Sequence, residues 1–270
     1  MPQTRVGELN IEYYVEGSGP PLLMIRGFGA SAAAWGEPFL DQLVPHFTCI
    51  RFSNRGTGQS SAGSGETTIR IMADDAVNLL TALGLDRAHV FGVSMGGLIA
   101  QEFALAYPER VIGLILGCTG PGGPNSATVA SEALALLTPA PGSSREDQLR
   151  AALPVMVTPE FHADGRAFLE EMLSEALVHP TPLDTIIKQM AAIRRFDAYD
   201  RLGRITSPTL VVHGDKDVLV PPANGRLLHE RISGSEMVTI VGAGHMFWWE
   251  KPEEAGRAII EFLSRVAVSA

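Results

Sequence analysis

What this 270-residue chain has little of narrows its function before any motif is read. It carries two cysteines, Cys49 and Cys118, each inside or beside an apolar run. Isolated thiols of that kind read as small core residues, because a disulfide framework or a metal site needs cysteines clustered at short spacing. Basic residues are in deficit: 21 Lys and Arg against 30 Asp and Glu leave a formal net charge of -9. Nucleic acids and anionic membranes both demand a basic face, so the balance argues against either as a partner. Arg194-Arg195 is the only adjacent basic pair and reads as solvated helix surface. No uncharged apolar run is long enough to span a bilayer, and Met1 to Gly7 lacks the apolar stretch of a secretion signal, which gives the expectation of a cytoplasmic protein. Internal repeats and low-complexity tracts are missing too.

Hydrophobic content is 46%, ample for a buried core, and it comes in short runs. Residues 3–16 alternate around Val6, Leu9, Ile11 and Tyr13 as an edge hairpin would. Continuous apolar runs at 22–25, 47–52, 89–91, 111–116, 209–213 and 237–241 read as strands covered on both faces. Helical spacing falls between them at 35–45, at 69–83 (Met72, Ala76, Leu79, Leu80, Leu83, with Gly84 as the cap) and at 98–107. Strands alternating with helices predict an α/β fold, a mostly parallel sheet with helices on both faces. The rhythm breaks between 119 and 200, where four helical pieces are expected near 126–138, 145–157, 160–178 and 183–196, separated by prolines. The expected division is a core of 1–118 and 201–270 with 119–200 inserted as a helical cap over the C-terminal edge of the strands, where ligands bind in such sheets. Its apolar residues Met156, Phe161, Phe168, Met172 and Met190 are candidate walls of an acyl pocket.

The chain is organised around Gly92-Val93-Ser94-Met95-Gly96, between a strand-like run and a helix ending before Pro108. With 28 glycines in the chain the pattern alone is weak; the strand-turn-helix context is what makes Ser94 a candidate nucleophile on a sharp elbow. A serine hydroxyl needs a base, and the base needs a group that fixes its tautomer. Of seven histidines, His46, His162, His179 and His229 fall in helices or at their ends, and His89 and His213 lie in strands. His245 sits in a loop after the last strand, Val241-Gly242-Ala243-Gly244-His245. His213-Gly214-Asp215-Lys216-Asp217 offers two acids after another strand; position in the loop favours Asp217, and Asp215 is the alternative, since Asp also serves as a turn residue. Oxyanion donors are expected from the Met95 N–H and, in the loop Arg26-Gly27-Phe28-Gly29, from the Phe28 N–H.

Serine, acid and histidine in that order, each after its own strand, resemble the α/β-hydrolase superfamily, and the resemblance runs end to end. It is carried by Arg26-Gly27-Phe28-Gly29, Arg55-Gly56-Thr57-Gly58-Gln59-Ser60, the elbow, the Asp215–Asp217 loop with Val220-Pro221, and Gly244-His245 with Glu250-Lys251-Pro252-Glu253. By this resemblance Ser94 is the nucleophile, Asp217 the acid and His245 the base, with no metal and no cofactor. Two positions depart from the family pattern: Arg26 stands where histidine is usual, and Ser53 where aspartate is usual. Arg26, Trp248 and Trp249 are candidate substrate contacts. A serine at position 94 excludes the dehalogenases and epoxide hydrolases, which use aspartate there.

The resemblance implies a serine hydrolase of small or medium carboxylic esters or lactones, acting through an acyl-enzyme on Ser94. The alternatives are an acyl-homoserine or enol lactonase, a carbon–carbon bond hydrolase of ring-cleavage diketones, a cofactor-free perhydrolase or haloperoxidase, and a ligand-sensing protein with a slow hydrolase site. Oligomeric state leaves no mark in the sequence.

Overall fold

The structure is a computed structural model and describes residues 2–131, 133 and 142–266. Its centre is one eight-stranded sheet. The strands are β1 (Gln3–Val6), β2 (Leu9–Glu16), β3 (Pro21–Ile25), β4 (Thr48–Phe52), β5 (Ala88–Val93), β6 (Val111–Gly117), β7 (Thr209–Gly214) and β8 (Glu236–Ile240). They lie in the order β1-β2-β4-β3-β5-β6-β7-β8. β1 and β2 form the edge hairpin, β2 pairs antiparallel with β4, and from β4 to β8 every neighbour is parallel.

Between the strands run α1 (Glu37–Leu43), α2 (Ile69–Ala82) and α3 (Met95–Ala106). Between β6 and β7 come α4 (Arg145–Met156), α5 (Pro159–Asp164), α6 (Arg166–Val178) and α7 (Leu183–Arg195), referred to below as the cap. Between β7 and β8 runs α8 (Ala223–Arg231), and after β8 come α9 (Phe247–Glu250) and α10 (Pro252–Arg265).

Strand alternation sends successive side chains to opposite faces. Leu23 and Ile25 therefore pack with Met72, Leu79, Ile99 and Phe103 of α2 and α3 on one face. Leu22 and Met24 meet Phe39, Leu43, Ile259 and Phe262 of α1 and α10 on the other. Every residue of β5, β6 and β7 is buried, which is why these strands are runs of apolar residues rather than alternating ones. Parallel register brings Ile25, Gly92, Leu116 and Val211 level across the sheet, so the loops after β3, β5, β6 and β7 all leave at one edge.

The cap differs from expectation in two places. Residues 126–130 are not helical: the Ala127 N–H donates to Asn224 Oδ1 at 2.8 Å and its carbonyl accepts from Asn224 Nδ2 at 2.9 Å, which ties this backbone to α8 instead of to a helical turn of its own. Residues 131 and 133 of that expected helix are helical, and Glu132 and 134–138 lie outside the described residues, as do 139–141 and the side chain of Phe168. The expected helix at 160–178 is two helices, α5 and α6, meeting at Gly165. Among the described residues no helix is long and apolar enough to cross a membrane.

Candidate active site

Ser94 caps α3 with φ 56° and ψ −123°, a backbone conformation costly for any residue with a Cβ. The surroundings enforce it. Ser94 N–H donates to Gly117 O at 2.9 Å, and its own carbonyl accepts from Thr119 Oγ1 at 2.8 Å and Gly97 N at 2.9 Å. The flanking glycines are required by close approach: a Cβ on Gly92 would lie 2.1 Å from Gly96 O, and one on Gly96 would lie 2.1 Å from Ile25 O. Ser94 is thereby lifted into partial exposure between the buried Val93 and Met95. Met95 begins α3, so its N–H belongs to the first turn, where no intrahelical acceptor exists.

The Asp217 carboxylate is held by three donors, with His213 Nε2 close beside it. Oδ1 accepts from Leu219 N at 2.9 Å and Val220 N at 2.8 Å. Oδ2 accepts from His245 Nδ1 at 2.8 Å and lies 3.4 Å from His213 Nε2. His213 Nε2 itself donates to Val220 O at 2.8 Å, which fixes its tautomer. Burial works to raise the Asp217 pKa, but the His245 charge and the bonds from both histidines outweigh it and bring the group down to about 2. Asp215 sits differently, with Oδ1 accepting from Gly242 N. It staples the loop after β7 to the loop after β8, a contact reinforced by Lys216 N to Ala243 O at 2.9 Å.

That staple starts the path of His245. Glu250 continues it: one carboxylate oxygen accepts from Gly244 N at 2.8 Å, the other from Thr158 Oγ1 at 2.6 Å and Thr158 N at 3.1 Å, which joins the His245 loop to the cap. Beyond it Trp248 crosses back over the sheet edge to Trp35, their ring centroids 5.9 Å apart.

The loop after β3 abuts the elbow. A Cβ on Gly27 would lie 3.1 Å from Ser94 Cβ and 3.6 Å from its Oγ. Arg26 carries the main surprise. Its guanidinium carbon lies 5.1 Å from the Trp35 ring centroid and 4.9 Å from that of Trp248, and the residue is 6% exposed. Nε and Nη1 are buried with no hydrogen-bond partner among the described residues. Burial lowers its pKa to about 10. A cation without a carboxylate is tolerated here because two indole faces are turned to it.

Of the three candidate substrate contacts, Trp248 and Trp249 are core residues at 2% and 9% exposure. Trp248 spends a face on Arg26 and Trp249 packs over Gly36. Arg195 pairs with Glu66 at 2.6 Å on the surface. His89 is buried in β5, where desolvation lowers its pKa to about 4. Three residues that sequence reasoning passed over serve the site: His213 on Asp217, Glu250 on the His245 loop, and Gln189, whose Oε1 accepts from Gly29 N at 2.9 Å.

The sequence matches the α/β hydrolase fold family over residues 20–252. The chain belongs to the α/β-hydrolase family. This hydrolase is 30% identical to a putative carbamate hydrolase, RutD, of Azorhizobium caulinodans, over 98% of its own length and 99% of the relative's. It is 31% identical to a 2-hydroxy-6-oxononadienedioate/2-hydroxy-6-oxononatrienedioate hydrolase of Paraburkholderia xenovorans, over 96% and 92% of the two chains. A solved thermophilic esterase from Thermogutta terrifontis superposes with a TM-score of 0.84 at 26% identity, covering 98% of this chain and 99% of that one.

Proposed function

We propose that this hydrolase cleaves carboxylic esters, small or medium acyl esters or lactones, through an acyl-enzyme on Ser94. The observation that carries the reading is the 2.8 Å bond from His245 Nδ1 to Asp217 Oδ2, because it leaves Nε2 as the basic nitrogen of the ring. Ser94 Oγ attacks the carbonyl carbon as His245 Nε2 takes its proton. The oxyanion so formed is stabilised by the Met95 and Phe28 N–H groups. Collapse of the tetrahedral intermediate breaks the bond to the alcohol, which leaves with the proton from His245. Water then gives a proton to His245 and attacks the acyl carbon; the bond to Ser94 Oγ breaks, Oγ takes the proton back from His245, and the acid is released.

Asp217 holds the imidazole in the tautomer this cycle needs and stabilises the imidazolium between steps. The same groups would serve other carbonyl substrates, including a carbamate, for which one relative is named, and a vinylogous diketone. A matched panel decides: aryl esters of graded acyl length, acyl-homoserine lactones, an aryl carbamate and a vinylogous diketone, each with Ser94→Ala as control. Ester or lactone turnover that vanishes in Ser94→Ala supports the proposal; turnover confined to the carbamate or the diketone replaces it.

A further inference from the structure

Gly29, in the oxyanion loop, is gripped from the cap by both of its hydrogen-bonding groups. Its N–H donates to Gln189 Oε1 at 2.9 Å, and its carbonyl accepts from Thr181 Oγ1 at 2.8 Å. Thr181 lies just before α7; Thr185 and Gln189 follow on one face of that helix, four residues apart. The face is turned inward: Thr185 and Gln189 are 5% and 0% exposed, whereas Leu183 and Ile187 are 73% and 58% exposed. The usual amphipathic sense is inverted over these turns, with polar groups inside and apolar groups outside. Burying polar groups in place of Leu and Ile is unfavourable unless hydrogen bonds are made in return, and here Gln189 Oε1 makes one to the loop after β3. Gln189 and Thr181 take Gly29, and Thr185 lies so close to the second loop that a Cβ on Gly56 would meet its Oγ1 at 2.4 Å.

We propose that Gln189, with Thr181, is a positioning residue that holds the Phe28 N–H in place as an oxyanion donor from the cap side. The inference rests on the serine-hydrolase reading above and adds to it how the cap takes part in the chemistry. Phe28 lies between two anchors. Upstream, Asn54 Nδ2 donates to Arg26 O at 3.1 Å. Downstream, Gly29 has φ +64° in a turn closed only by a long Ala30 N to Gly27 O bond of 3.4 Å. A glycine there rotates freely unless something outside the turn fixes it, and Gln189 and Thr181 supply that. The oxyanion site is therefore complete only with α7 seated.

The test is a set of variants measured in four ways: Ser94 labelling by a fluorophosphonate, kcat and KM for an aryl ester, inhibition by a trifluoromethyl ketone, and Tm. Gln189→Met keeps the length and removes the acceptor. It is expected to lower kcat and the labelling rate together by about ten- to a hundredfold, below the loss for deleting an oxyanion donor outright, with KM within about twofold. Ketone affinity should fall in proportion. If Gln189→Met does not fold, Thr181→Val, outside the helix, should lower the same rates several-fold. Labelling and kcat at wild-type level in variants with lowered Tm, or a change in KM alone, would overturn the proposal. Wild-type protein that resists the fluorophosphonate would instead overturn the serine-hydrolase reading beneath it.

Discussion

Asparagine at position 217 tests the site at its most constrained atom. The amide oxygen of Asp217→Asn keeps the bonds from Leu219 N and Val220 N, so the loop after β7 has no reason to move. The amide nitrogen, however, takes the place of Oδ2, where His245 Nδ1 donates at 2.8 Å and His213 Nε2 stands 3.4 Å away. Two N–H donors would face an NH₂ group. The arrangement is relieved when His245 shifts its proton to Nε2 and accepts through Nδ1, and an imidazole protonated on Nε2 cannot take the proton of Ser94. Loss of the tautomer costs roughly 10⁴ in kcat, or about 5.5 kcal/mol of barrier, with KM little changed. Asp215→Asn removes a charge and keeps an acceptor for Gly242 N, so at most about 1.5 kcal/mol of stability is lost and kcat stays within about threefold. Initial rates on one aryl acetate, with Tm recorded on the same preparations, decide the matter. Near-wild-type rates in Asp217→Asn, with activity lost in Asp215→Asn, would refute the assignment of the acid.

Three further outcomes follow from the same contacts. The Asp217 pKa of about 2 lies below the ordinary value of 3.8, so the carboxylate contributes about 2 kcal/mol of stability above pH 4 that is lost as pH falls through 2; urea unfolding at pH 5 and pH 2.5 should show the gap between wild type and Asp217→Asn closing by about 1.5 kcal/mol. Arg26 is a base held below its usual pKa, so its charge opposes folding at neutral pH and the penalty fades as pH rises through 10; Arg26→Met should leave Tm unchanged or raise it, and a fall of more than about 5 °C would show that the indole contacts outweigh desolvation. Gly96→Ala sets a methyl group 2.1 Å from Ile25 O, an overlap that only a shift of α3 relieves; the protein should lose at least about 3 kcal/mol or fail to fold, and a stable, active variant would contradict the elbow geometry.

The parallel sheet is legible in the sequence because β5 to β7 are buried on both faces, which leaves unbroken apolar runs that nothing else in a chain of this size requires. The elbow is legible because Gly92 and Gly96 stand where backbones nearly touch. Reading fails where the cause is a hydrogen bond between distant parts of the chain. Asp215 and Asp217 are the same residue type in one loop, and only the donors around them tell them apart: Gly242 for one, Leu219, Val220 and His245 for the other. His213 looks like a strand residue and is one, yet its ring faces Asp217. Trp248 and Trp249 invite a binding role by size and place, and nothing in the sequence shows how far the chain covers them, 2% and 9% exposed. Gln189 did leave a signal: polar Thr185 and Gln189 share a face of α7 while Leu183 and Ile187 share the other, a pattern that fixes a stripe without saying which side turns inward.

The two departures from the family pattern show which parts of the site tolerate exchange. Ser53 lacks a carboxylate, yet one is present: Ser53 Oγ donates to Glu12 Oε2 at 2.6 Å, and the same oxygen accepts from Gln59 N at 3.0 Å, so β2 supplies from the side the charge that aspartate would carry in the loop. Ser53 Oγ in turn accepts from Ala32 N at 2.9 Å, which pins the far end of the loop after β3. Arg26, at the near end of that loop, has no such substitute and rests on Trp35 and Trp248, while its backbone carbonyl still receives Asn54 Nδ2. Both ends of the loop thus keep a side-chain anchor on the backbone, Ser53 Oγ on Ala32 N and Asn54 Nδ2 on Arg26 O. Gly27, Gly92 and Gly96 have no such latitude, because what stands against the first two is the elbow itself and against Gly96 the backbone of Ile25 and Arg26. Side-chain anchors of the loop can therefore drift so long as some group reaches the peptide, whereas the glycines are fixed by contact distance. On that argument Arg26→His, with Trp35 and Trp248 unchanged, should keep kcat within a few-fold of wild type, and Gly27→Ala, which crowds Ser94 Cβ at 3.1 Å, should not.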